Sequence, residues 1–329
     1  KKIIILILLL PVILPLSAVI FYQFDEELRP EVVEIINYKH EKIASEDNGY
    51  YALLGMFVRE GDNPHAKGLE IEAEAKTKYD VEGSELLIFT SDIDLALIIE
   101  PTVDSYDICS TEIEESCLKD IKSRKEYYRK IIRDNKVLIN RLRSVYKYKH
   151  YQESPYVIAM NKLITVHKMA LSDIVLAWES KEYVAALDLL KEDVSYWRMV
   201  ARGDVSLITR MIAIALINQD LSVLSDFITD CSKCIPKEII EKELLIPFSQ
   251  QDVDMRKTMG FEYRFIYNSV SRNLEEGLFD SFWQKIVVNL FIKQNSIHNK
   301  FYDMYQNLSL IHISEPTRLK TRSRMPSSA

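Results

Sequence analysis

Two carboxylates one residue apart, Asp92 and Asp94 in Ser91-Asp92-Ile93-Asp94-Leu95-Ala96, are the side chains in this 329-residue chain best placed for chemistry. Alternate side chains of an extended segment share a face, so the pair could hold Mg2+ ions and position a nucleoside triphosphate. The cysteines offer a second possibility: Cys109 and Cys117 flank a loop, and Cys231 and Cys234 form Cys-Ser-Lys-Cys. Two such pairs can close as local disulfides in an oxidising compartment, or supply four thiolates to zinc in a reducing one. A Cys-x-x-Cys can also be a redox pair. His40, His65, His150, His167 and His298 show no ligand-like spacing. His167, among Leu163, Ile164, Val166, Met169 and Ala170, reads as a core or groove histidine. The chain has no Gly-x-Ser-x-Gly elbow, P-loop, dinucleotide fingerprint or His-Glu-x-x-His.

The compartment decides among these readings. Residues 3–22 are almost unbroken apolar sequence, preceded by Lys1 and Lys2 and followed by Asp25, Glu26 and Glu27. At about 1.5 Å per residue this run makes roughly 30 Å of helix, enough to cross a bilayer. The flanking charges put the short N-terminus in the cytoplasm and the rest of the chain outside. A cleaved signal peptide ending at Leu16-Ser17-Ala18 is the alternative, but Leu16 fits a cleavage site poorly and the apolar run continues past Ala18. Both readings export the domain to the periplasm. Export favours the disulfides Cys109–Cys117 and Cys231–Cys234, the first stabilising by about 2–3 kcal/mol, over a zinc site. No metal, cofactor or nucleic-acid partner is expected.

The elements expected to carry these residues are mainly helices. Only eight glycines occur, while apolar residues make up 47% and charged residues 28%, which disfavours a turn-rich β fold and a disordered tail alike. The pattern predicts an all-α fold, a multi-helix bundle or irregular α-solenoid-like domain, with a small strand-like or irregular segment near residues 83–117. Helices are expected over residues 30–46, 50–55, 64–79, 119–148, 155–180, 182–201, 206–229, 237–245, 255–274 and 279–308. Residues 1–24 read as the anchor, 25–118 as a membrane-proximal helical region with a disulfide loop, and 119–307 as a helical domain. Between residues 119 and 149 twelve Lys or Arg face three acids. Lys122, Lys125, Arg129, Lys130, Arg133, Lys136, Arg141 and Arg143 there could meet an anionic lipid, a cell-wall polymer or another envelope protein, or simply form a solvated helix face.

Some stretches resemble known sequences. Gly83-Ser84 followed by Asp92 and Asp94 resembles the nucleotidyltransferase signature, which implies metal-dependent nucleotidyl transfer. Seven residues separate Ser84 from Asp92, fewer than that family's spacing, and no later strand offers a third carboxylate. An exported domain also meets no nucleoside triphosphate, so an acidic surface segment is the competing reading. Ala185-Ala186-Leu187-Asp188-Leu189-Leu190 faintly resembles a tetratricopeptide helix, without a 34-residue period. Residues 308–318, Leu-Ser-Leu-Ile-His-Ile-Ser-Glu-Pro-Thr-Arg, resemble the translation of a transposon-end sequencing adaptor, so residues 308–329 are expected to be an artefactual tail.

Larger parts of the chain carry another likeness. Tyr50-Tyr51-Ala52-Leu53-Leu54-Gly55, the Asp62-Asn63-Pro64 turn, the Cys109 and Cys117 pair, Asp193-Val194-Ser195-Tyr196-Trp197-Arg198 and Leu207-Ile208-Thr209-Arg210-Met211-Ile212-Ala213 resemble an uncharacterised family of membrane-anchored proteins from Gram-negative bacteria. That resemblance implies an inner-membrane anchor and a mostly helical periplasmic domain, with no catalytic residues to carry over. The function expected is interaction or scaffolding in the cell envelope, with an envelope enzyme using unidentified carboxylates as the alternative.

Overall fold

The structure is a computed structural model and describes residues 25–38, 43–82, 88–89, 99–104, 107–109, 116–158, 162–239, 243–276 and 293–314. Asp92, Asp94, Gly83, Ser84 and the expected anchor at residues 3–22 lie outside the described residues. The described chain is mostly helical. Its first helices are α1 (Pro30–Ile36), α2 (Gly49–Leu54) and α3 (Pro64–Glu82). Then come α4 (Cys117–Ser123), α5 (Lys125–Asp134), α6 (Lys136–Val145), α7 (Leu163–Glu179), α8 (Tyr183–Arg202) and α9 (Leu207–Cys231). The chain continues through α10 (Gln250–Val253), α11 (Arg256–Glu276) and α12 (Gln294–Ser314). Two short strands, β1 (Ile88–Phe89) and β2 (Val157–Ile158), pair in parallel with Ile88 opposite Val157.

The chain divides into two compact units, a larger one of His40–Phe261 and a smaller one of Lys1–Lys39 with Glu262–Ala329. The boundary expected at residues 118/119 falls inside the larger unit. One hydrophobic core joins Leu53, Ile71 and Ile108 to Leu138, Val175 and Leu216 across that position.

In the larger unit, α2 starts where Asn48 accepts from the Tyr50 amide at 3.1 Å, and the same side chain pairs with the backbone of Gln152. Asn63 caps α3 by accepting from the amides of His65 and Ala66 at 3.0 and 3.2 Å. Helices α2 and α3 meet through glycine: a Cβ on Gly68 would lie 1.9 Å from the Tyr51 carbonyl oxygen.

The single helix expected over residues 119–148 is three helices, α4 to α6. Arg124 and Asn135 leave helical geometry between them. The Asn135 side chain donates back to the Ile131 carbonyl and across to Thr102 Oγ1, and accepts from the Thr102 amide. Short amides compete with the helix backbone in this way, so Asn135 breaks the run and fastens the 99–104 segment to it.

Helices α7, α8 and α9 form the heart of the unit. Ser206 caps α9, accepting from the Thr209 amide at 3.2 Å. Glu153 binds the same turn, accepting from the Ser206 amide at 2.7 Å and the Thr209 hydroxyl at 2.8 Å. At the other end, Trp178 of α7 stacks on Phe227 of α9 with ring centroids 4.1 Å apart. Among the described residues one stretch, Leu207–Cys234, is long and apolar enough to cross a membrane. It is the core helix of this unit: Arg210, Ala213, Leu216, Ile217, Asp220 and Phe227 on it are all buried.

In the smaller unit the segment before α1 is held by α12. Asp25 accepts from the amides of Asn295 and Ser296 at 2.5 and 3.1 Å, where a helix N-terminus presents unpaired donors. Arg29 pairs with both carboxylate oxygens of Asp303 at 2.5 and 2.9 Å, and Asn299 binds the backbone of Glu27 and Arg29. His298 is fully buried between Tyr263 and Tyr267, and burial pushes its pKa down.

Candidate functional site

Three ionisable residues interrupt the apolar stripes of α7, α8 and α9. On α7 the buried face runs Leu163, Val166, His167, Ala170 and Ile174; on α8 it runs Leu187, Leu190, Asp193, Val194 and Trp197. On α9 it runs Leu216, Ile217, Asp220, Val223 and Leu224. Each charged residue occupies a position where the helical period demands an apolar one, so packing the stripes together drives all three to one point. The side chains of His167, Asp193 and Asp220 are at most 1% exposed.

His167 Nε2 lies 3.1 Å from Asp220 Oδ1 and 3.3 Å from Asp193 Oδ2. These approaches have ion-pair distance without hydrogen-bond geometry, and all four carboxylate oxygens and Nε2 are buried without a hydrogen bond. The other ring nitrogen, Nδ1, is 3.3 Å from Gln219 Oε1. The edge of Trp197 closes over the imidazole at 6.3 Å between centroids. Tyr146, at the C-terminus of α6, brings a buried hydroxyl against the carboxylates, also without a hydrogen bond of acceptable geometry. Its ring packs on Tyr196 of α8.

The electrostatics follow from burial beside like and unlike charges. Burial alone would push the His167 pKa down, but Asp193 and Asp220 outweigh it and raise it to about 10. Burial, then the neighbouring Asp193, raise the Asp220 carboxyl well above the usual range against the opposing pull of His167. Burial, then Asp193, also raise the Tyr146 hydroxyl far above its ordinary value. One nitrogen and two carboxylates with ligand atoms within 4.8 Å of one another can share protons or hold a cation.

The other residues singled out from the sequence are not drawn to this point. Cys109 is bonded to Cys117 and Cys231 to Cys234, leaving no free cysteine. The basic residues are scattered over α4 to α6. Lys122 pairs with Asp230 at 2.6 Å and Glu179 at 3.3 Å, Arg129 with Glu126 at 2.5 Å, and Arg143 with Asp173 at 2.8 Å. Arg141 donates to the carbonyls of Met56, Val58 and Arg59, and Arg133 reaches Asp134 at 3.8 Å. Among the described residues Lys125, Lys130 and Lys136 make no ion pair.

No protein-family model, curated protein or solved structure matches the chain.

Proposed function

We propose that the chain is the exported helical domain of a single-pass inner-membrane protein of a Gram-negative bacterium, acting by interaction or scaffolding in the periplasm. The observation that carries this reading is the pair of disulfides, Cys109–Cys117 and Cys231–Cys234, which together use every cysteine. Structural disulfides persist in oxidising compartments and are rare in the cytosol. The apolar run at residues 3–22 with lysines before it and acids after it supports the same topology. An interaction role is supported by the site's burial: a sealed histidine and two aspartates offer no surface on which a substrate could be turned over. Lys130, Arg133 and Lys136 remain exposed for an anionic lipid, a cell-wall polymer or an acidic envelope protein.

Alkaline phosphatase and green fluorescent protein fused after residue 307 test the topology, with phosphatase activity and a dark fluorescent fusion expected. In parallel, the full chain taken directly from cells into an alkylating reagent is expected to label only after reduction. Four labelled thiols before reduction, together with a fluorescent fusion, would place the domain in the cytoplasm and end this reading.

A further inference from the structure

The cluster of His167, Asp193 and Asp220 has a balance of charge and hydrogen bonds that its own side chains do not close. Two carboxylates removed from water each carry a desolvation penalty of several kcal/mol, which a partner must offset. With the Nδ1 proton donated to Gln219 Oε1, Nε2 turns a lone pair toward Asp193 and Asp220. Three electron-rich groups then face one another without a positive charge. If Nε2 is protonated instead, its single N–H must serve two carboxylates on different helices, and it has hydrogen-bond geometry to neither. With Nε2 alone protonated and both aspartates ionised, two net negative charges stay in the core, and one stays even when both ring nitrogens carry protons.

A divalent cation resolves both problems. It neutralises two carboxylates and a neutral imidazole completely, and it accepts the Nε2 lone pair where a proton would need an acceptor. Metal–ligand bonds of about 2.0–2.2 Å at tetrahedral or octahedral angles set neighbouring ligand atoms roughly 3–3.6 Å apart. The separations of 3.1 and 3.3 Å from Nε2 match that spacing. The Gln219 carbonyl on Nδ1 is the kind of outer partner that fixes the tautomer of a metal-bound histidine. Independently of these three residues, the buried hydroxyl of Tyr146 stands beside Asp193 without a hydrogen bond of acceptable geometry.

We infer that His167, Asp193 and Asp220 form a structural site for a divalent transition ion, of the Zn2+ or Mn2+ class, that ties α7, α8 and α9 together. Mixed imidazole and carboxylate ligands select this class over Ca2+, which takes oxygen alone, and over Cu(I), which favours sulfur. Burial of all three ligands makes the ion structural, so it enters as the helices close during folding. The site rests on the helical core and does not depend on the compartment proposed above.

The test uses the full chain in detergent with its disulfides intact. It is stripped with EDTA in denaturant and refolded with Zn2+, with Mn2+, with Co2+ or without metal. After desalting, the expected result is one equivalent of Zn2+ or Mn2+ per chain, visible d–d bands from Co2+, and a melting midpoint raised by about 5 °C or more over the metal-free protein. Asp220→Asn and Asp193→Asn are expected to lose the bound metal and the metal-dependent shift, while their metal-free forms melt no lower than metal-free wild type. Wild-type protein that retains well under one equivalent and melts identically with and without each metal would overturn the inference, whether or not the variants fold. So would asparagine variants that lower the midpoint equally in every condition, since an ordinary buried ion pair behaves that way.

Discussion

Asp252 shows what a buried carboxylate does when its partners are all supplied by the chain. It accepts from Arg202 Nε at 2.5 Å and from the Ser249 amide and hydroxyl at 2.6 and 2.7 Å, with Arg198 beyond at 3.4 Å. Burial alone would raise its pKa, but Arg202 and Ser249 hold it well below the usual carboxylate range. A depressed folded pKa stabilises at every pH above the unfolded value near 4, and that stability drains as pH falls through the folded value. Asp252→Asn is expected to cost about 2 kcal/mol at neutral pH, and the gap to wild type should close progressively below about pH 4 in denaturant titrations. A gap that persists at low pH would assign the effect to shape and not to charge. His167 was legible in the sequence as a core histidine, but its partners were not. Asp193 and Asp220 belong to other helices, and only their intrusion into apolar stripes could have marked them.

Helix α3 lies against α2 only because position 68 lacks a side chain. Gly68→Ala would set a Cβ 1.9 Å from the Tyr51 carbonyl, and backbone cannot yield as a flexible side chain can. The expected loss is roughly 2 kcal/mol or more, seen as a melting midpoint lower by about 4 °C or more. Gly61→Ala is the control: it meets open space but has φ of +96°, so it should cost about 1 kcal/mol through backbone conformation alone. An unchanged midpoint for Gly68→Ala would mean the two helices are not in this contact. Most helices were readable from periodicity and caps, and α8 and α9 lie within two residues of their expected bounds. The breaks at Arg124 and Asn135 were not readable, because Asn135 acts through Thr102, a partner far along the chain. Helix α7 also begins later than expected, at Leu163. The chain pairs as β2 at Val157–Ile158, and Lys162 then takes a left-handed turn before the helix starts.

Taken whole, the chain is cross-linked over short spans and joined over long ones. Cys109–Cys117 and Cys231–Cys234 span 8 and 3 positions, so each restricts the unfolded chain only locally. Loop-closure entropy assigns the first roughly 2.5 kcal/mol, and reduction at neutral pH is expected to lower the melting midpoint by about 5 °C or more without unfolding the core. Loss of all helical signal on reduction would give the disulfides a larger part than this. Mainly helical character and the cysteine pairings were legible from composition and spacing. The division into two units was not, since the smaller one joins residues near the start to residues near the end through polar contacts that carry no sequence pattern. Those contacts have a mechanical meaning. Tension applied to the chain ahead of Asp25 would load the Asp25 carboxylate on the first turn of α12 and the Arg29–Asp303 pair before it stretched α1. The clasp acts as strain relief, because a pull on that end is taken up first by these side-chain contacts and handed to α12 ahead of α1.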